Sequence, residues 1–135
     1  MAHTISRDYS FSAAHQLEGH PKCGRIHGHN YKVTVAVRGA LGNGMVMDYA
    51  VLDSIVKPLI SEADHMYLAS KSNRRNLNPF TRLADEMNQS CPWELPYSTA
   101  ECIAEYLFAR LGTEIGVTAV IVEETEKSKA LYEGH

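Results

Sequence analysis

Apolar and polar positions alternate loosely over residues 3–15, where Ile5, Tyr9, Phe11 and Ala13 stand among polar neighbours. Aromatic and β-branched residues at that period predict a strand that ends at His15. From Gln16 to Gly28 no period holds, and Gly19, Pro21 and Gly24 predict a loop. A second strand is expected to begin near His29. Beyond it Tyr31, Val33, Val35 and Val37 alternate with Lys32, Thr34, Ala36 and Arg38, the mark of a half-buried strand. Gly39, Gly42, Asn43 and Gly44 then turn the chain.

Asp48 suits the N-cap of a helix in which Val51, Leu52, Ile55, Val56, Leu59 and Ile60 form one apolar stripe. Pro58 lies inside that stripe and removes a backbone donor, so a kink or an end near Lys57 is expected. Residues 66–97 show no sustained period. Asn73, Arg74, Arg75, Asn76, Asn78, Pro79, Pro92 and Pro96 mark them as a long loop, with 80–89 suited to a short helix. Ser98-Thr99-Ala100-Glu101 has the form of a capping box ahead of Ile103, Leu107, Phe108 and Leu111, and Gly112 stops that second helix. Val117 to Val122 predicts a strand running on to Glu123-Glu124-Thr125, with Ala130-Leu131-Tyr132 pairing beside it. The order ββααβ(β) fits one α+β domain over 1–135, an antiparallel sheet with two helices packed on one face. So small a sheet leaves an edge and a face uncovered, which favours association with other copies.

With 135 residues, 44% hydrophobic and 21% charged, the chain has the composition of an ordinary folded domain and not of a disordered segment. Thirteen Lys+Arg against sixteen Asp+Glu leave a net charge of −3, so no global field draws it to nucleic acid or an anionic membrane. An anionic substrate needs a local cluster instead. The start, MAHTISRDYS, lacks a basic lead into an apolar stretch, and no window approaches the ~18 apolar residues of a membrane span. Cys23, Cys91 and Cys102 are odd in number and irregular in spacing, which argues for a reducing compartment and a cytoplasmic location.

The stretch from Cys23 to His29, CGRIHGH, carries the most chemistry. A strand sets His27 and His29 on one face, with Gly28 adding no side chain between them. His15, ending the first strand, supplies a third imidazole if the two strands pair antiparallel. Three histidines leave one position of a zinc ion open, the arrangement of a catalytic site. Cys23 has two readings: it closes a four-ligand structural site, or, beside a cation and Arg25, it acts as a base in thiolate form. Asp64-His65 is either a solvated polar pair or a carboxylate that orients an imidazole for proton transfer. Glu124 is either a surface acid or an acceptor of two hydrogen bonds from an aminopyrimidinone edge.

Phe11-x-Ala13-Ala14-His15, Cys23-x-x-x-His27-Gly28-His29, Asp48-Tyr49, Asp64-His65, Thr99-x-Glu101 and Glu124-Thr125 occur in an order that resembles the 6-pyruvoyltetrahydropterin synthase family. The short Cys-to-His spacing is closest to its 6-carboxytetrahydropterin branch of queuosine biosynthesis. The resemblance implies a T-fold subunit in a hexamer of stacked trimers, with active sites between subunits and 7,8-dihydroneopterin triphosphate as substrate. It implies 6-carboxy-5,6,7,8-tetrahydropterin as product, with acetaldehyde and triphosphate released, or in the sister branch a pyruvoyl product. His15, His27 and His29 would bind Zn2+, Cys23 would be the base, and Asp64 and His65 its proton relay. Glu124, Thr99 and Arg25 would bind substrate. Two departures stand out: the 66–97 segment is longer than the pattern, and Ala100 occupies a position usually Ser or Thr. Arg74 and Arg75 are open to a triphosphate contact or to solvent alone.

Overall fold

The computed structural model describes residues 2–112 and 115–134. Strands β1 (His3–His15) and β2 (His27–Gly39) form an antiparallel hairpin whose register runs unbroken from His3↔Gly39 to His15↔His27. The period of two puts Tyr9, Phe11, Ala13 and His15 of β1 on the same buried face as Tyr31, Val33, Val35 and Val37 of β2. β2 begins at His27, earlier than expected, so His27 and His29 both belong to the ladder.

Helix α1 (Tyr49–Ser61) starts from Asp48, whose carboxylate accepts the Ala50 N–H. It buries Leu52, Val56, Leu59 and Ile60, while Val51 and Ile55 of the predicted stripe stay exposed. The early end expected near Lys57 does not occur. An internal proline costs about 3 kcal/mol, and burying Leu59 and Ile60 beyond it gains roughly 1.5–3 kcal/mol each, so packing outweighs the lost hydrogen bond.

The 66–97 segment is more ordered than the sequence predicts. It holds β3 (Met66–Tyr67), α2 (Lys71–Arg75) and α3 (Pro79–Glu86), the last overlapping the stretch suited to a short helix. β3 pairs parallel with β1, unlike the other strand pairs of the sheet. Ser70 and Asn73 cap α2 reciprocally, and the Asn78 side-chain oxygen accepts from Phe80 and Thr81 N–H to start α3. Helices this short are set by their caps and leave no apolar period to read.

Helix α4 (Ala100–Leu111) is capped by Thr99, which accepts the Cys102 N–H at 3.3 Å, and not by Ser98 as the predicted box would place it. Strands β4 (Val117–Thr125) and β5 (Ser128–Glu133) complete a five-stranded sheet in the order β3-β1-β2-β4-β5. α1 packs against β1 and α4 against β4 and β5, so these two helices share a face. Between helices and sheet lies a core that includes Tyr31, Val33, Val35, Leu52, Ile103 and Leu107. Among the described residues no helix is long and apolar enough to cross a membrane.

Candidate metal centre and active site

The last rungs of the β1–β2 hairpin bring three imidazoles together on the helix-covered face. His15 stands opposite His27, and His29 opposite Ala13, so all three side chains share the parity of Phe11 and Tyr31. Their ligand nitrogens lie within 4.8 Å of one another, and no fourth side chain joins the set among the described residues. Cys23 therefore stands outside the cluster of converging donors.

Hydrogen bonding fixes the tautomers. His15 Nδ1 lies 2.7 Å from the Ser98 carbonyl and His27 Nδ1 lies 2.7 Å from the Arg25 carbonyl. A carbonyl only accepts, so both Nδ1 atoms carry the proton and both Nε2 atoms present lone pairs. Those two Nε2 atoms are 3.0 Å apart. Lone pairs so placed repel unless a cation lies between them, and nitrogens sharing a tetrahedral zinc at about 2.0–2.1 Å stand roughly 3.3–3.4 Å apart, close to this spacing. His29 Nε2 is buried without a hydrogen-bond partner, which costs ~1–3 kcal/mol unless something binds it. The donor set thus fits a divalent ion on the structure's own terms. Burial, reinforced by His27 and His29, pushes the His15 imidazole down to about 4. Burial also pushes His29 down, against the opposing pull of Glu124. Both are held in the neutral form that ligates metals.

Around the trio stand groups of a second kind. Glu124 shares the inner face through the parity of Val120 and Val122, and its carboxylate lies 4.0 Å from His29 Nε2. The neighbouring Glu123 points the other way and pairs with Lys32 and Lys129. Tyr31 stacks on Phe11 with ring centroids 4.8 Å apart, and its hydroxyl is buried and unpartnered. Burial, then Glu124 and Cys23, push that phenol far up, so it stays protonated. The half-buried Cys23 lies on the loop between the hairpin strands, where its N–H donates to His20 Nδ1 (3.0 Å) and its carbonyl accepts from Leu17 N–H (2.7 Å). Arg25 meets the site by its carbonyl, and its side chain is exposed. Sequence reasoning missed Tyr31 and the Ser98 carbonyl. Parity with His29 could have signalled the first; any residue owns a carbonyl, so nothing signalled the second.

Asp64 and His65 do form a pair, with His65 Nδ1 3.1 Å from Asp64 Oδ1. The structure does not bring them to the imidazole trio. Ser12 clasps both, donating its N–H to Asp64 (2.9 Å) and accepting the His65 N–H (2.6 Å). Ser12 holds them with backbone groups that point along the plane of the sheet, so the pair sits at the β1 edge just before β3 pairs there. The clasp holds His65 at φ +62°, a left-handed conformation that a non-glycine residue adopts only when its surroundings impose it. His65 borders a cleft of about 580 Å³ lined also by His29, Asn30, Phe80, Leu83 and Met87. Gly28 lines it too, and a Cβ there would press to 3.2 Å on the Ala13 carbonyl. Arg74 is spent on a forked bond to Asp85, and Arg75 is exposed. Ala100 is buried in the core at the first turn of α4.

The family described as 6-pyruvoyl tetrahydropterin synthase matches residues 4–135. The chain belongs to that family. Within the tetrahydropterin synthases, it is 34% identical over 139 residues to 6-carboxy-5,6,7,8-tetrahydropterin synthase of Haemophilus influenzae, an alignment covering 96% of this chain and 97% of that one. It is 37% identical to the Synechocystis protein of the same name, covering 95% and 91%. Among solved tetrahydropterin synthases, the Caenorhabditis elegans 6-pyruvoyl enzyme superposes with a TM-score of 0.74 at 28% identity, covering 100% of this chain and 97% of that one. A Wolinella succinogenes protein shares the fold with a TM-score of 0.81 at 19% identity. The mixed sheet with helices on one face is thus the fold of the family.

Proposed function

We propose that the protein is a zinc-dependent lyase that converts 7,8-dihydroneopterin triphosphate and one water to 6-carboxy-5,6,7,8-tetrahydropterin, releasing acetaldehyde and triphosphate. One observation carries the reading: three imidazole donors converge beside a carboxylate with no fourth protein donor among the described residues, which leaves room for a substrate. The two full-length relatives named 6-carboxy-5,6,7,8-tetrahydropterin synthase support the choice of branch.

His15, His27 and His29 would hold the ion, which when bound supplies Lewis acidity toward the substrate's side-chain oxygens. Glu124 accepts two hydrogen bonds from the amino-pyrimidinone edge, and Thr99 and Arg25 add polar and cationic contacts to the substrate. Tyr31 stays a neutral donor in the floor of the site. Cys23 is the base that takes a side-chain proton. Asp64 holds the His65 Nδ1 proton, leaving Nε2 free to pass a proton on. Because that pair does not converge with its own imidazole trio, it serves the site of a neighbouring copy in a cytoplasmic homohexamer of two stacked trimers.

Incubating the zinc-loaded protein with dihydroneopterin triphosphate and weighing the product tests this. A carboxy side chain with acetaldehyde and triphosphate supports the reading, a pyruvoyl side chain assigns the sister reaction, and no turnover refutes the enzyme. Cys23→Ala should keep zinc and lose activity; loss of zinc instead would make Cys23 a ligand.

A further inference from the structure

The reaction above assigns no chemical step to the α2–α3 stretch, yet of the polar side chains it buries, Asn73 and Asn78 both reach into the loop that carries Cys23. Asn78 Nδ2 donates to Gln16 Oε1 at 2.6 Å, and Gln16 Nε2 donates to the Gly24 carbonyl at 2.6 Å. Asn73 Nδ2 donates to the Gln16 carbonyl at 3.1 Å and to the Glu18 carboxylate. The direction of the chain of amides is set at both ends by backbone groups. Phe80 and Thr81 N–H only donate, so Asn78 must turn its oxygen to them and its NH₂ to Gln16. The Gly24 carbonyl only accepts, so Gln16 must turn its NH₂ to Gly24.

We propose that α2 and α3 are a brace that positions the Cys23 loop, acting through the amide relay Asn78–Gln16–Gly24, with Asn73 fixing Gln16 and Glu18 from behind. Residues 16–25 have no regular secondary structure to hold them, and the Cys23 thiol needs a fixed approach to a substrate proton. The hairpin ladder already places the three imidazoles in register, and the His15 Nδ1 proton goes to the Ser98 carbonyl outside the loop, so the brace acts chiefly on the base. Gln16, Asn73 and Asn78 are positioning residues. The kinetic consequence rests on the reading of Cys23 as the base; the bracing itself rests on the hydrogen bonds.

Two variants cut the relay at different links. Asn78→Asp keeps an acceptor for the α3 cap and loses the donor to Gln16, whereas Gln16→Glu keeps an acceptor for Asn78 and loses the donor to Gly24. In the zinc-loaded protein each should speed hydrogen exchange in the 17–25 peptide about fivefold, the factor one net hydrogen bond contributes, with the α3 peptide unchanged. Zinc content and KM should stay within about twofold, while kcat falls roughly tenfold, because a misplaced base is felt only in the transition state. Wild-type exchange in the 17–25 peptide in both variants overturns the brace. So does a parallel rise in α3, since the variants then loosen the fold as a whole. If the wild type does not turn over the substrate, the proposed reaction fails, and exchange in the 17–25 peptide still decides the brace.

Discussion

His15 offers a quantitative test of how deeply the imidazole trio is built into the fold. Its ring is fully buried and its folded-state value is about 4 against an ordinary 6.5. Between those values the unfolded chain binds a proton that the folded, metal-free protein refuses, so stability falls as pH is lowered through 6.5 and levels off below 4. At 1.36 kcal/mol per pKa unit, moving from pH 7.5 to pH 4.5 should remove about 2.5 kcal/mol through His15 alone. The assay is urea denaturation of chelator-treated protein at one protein concentration, for wild type and His15→Gln. Other groups titrate in both proteins, so the informative quantity is the difference between their pH dependences. With a slope of ~1–3 kcal/mol/M, wild type should lose roughly 1–2 M more of its urea midpoint than the variant. Equal pH dependence would refute the argument, because His15 would then be free to take a proton in the folded state.

Three further outcomes are expected. Zinc should raise the urea midpoint of the wild type at pH 7.5 and fail to raise that of His15→Gln; equal protection of both proteins would place the ion elsewhere. Glu124→Gln should lower kcat/KM about 10–150-fold through loss of a charged hydrogen bond of ~1.5–3 kcal/mol, with zinc content unchanged by elemental analysis. Cys23→Ala and His65→Ala, each inactive alone, should recover roughly one quarter of wild-type activity when unfolded together and co-refolded as an equal mixture, because the proposed sites are shared between copies. No recovery from a mixture shown to contain mixed oligomers would confine each site to one chain.

The parts of the fold legible in the sequence are those with room for a period. β1, β2, α1, α4 and β4 each repeat their apolar spacing often enough to declare both type and buried face. The imidazole trio was legible for the same reason, since alternation places His27 beside His29 and an antiparallel hairpin returns them to His15. The two residues of β3 and the five of α2 are too few to show a period, so their order comes from tertiary partners and caps. The sequence therefore predicted a loop at 66–97. The place of Asp64 and His65 at the β1 edge was hidden by the same shortness: the parallel pairing of β3 with β1 and the clasp on Ser12 decide it, and both are non-local. At Pro58 local propensity favours an early end, and the burial of Leu59 and Ile60 beyond it decides for the helix.

The hairpin ladder also settles which parts of this site tolerate editing. The three donors occupy its closing rungs, so adding or deleting one residue within β1 or β2 without a compensating bulge would carry imidazoles to the opposite face and dismantle the centre at a stroke. Residues 16–26 bridge those rungs from outside and can change length with both anchor points in place. Metal capture and proton abstraction are thereby placed on independently adjustable pieces of chain. A new length of crossover loop can deliver its base to a different atom of the substrate while the donors beneath it stay put.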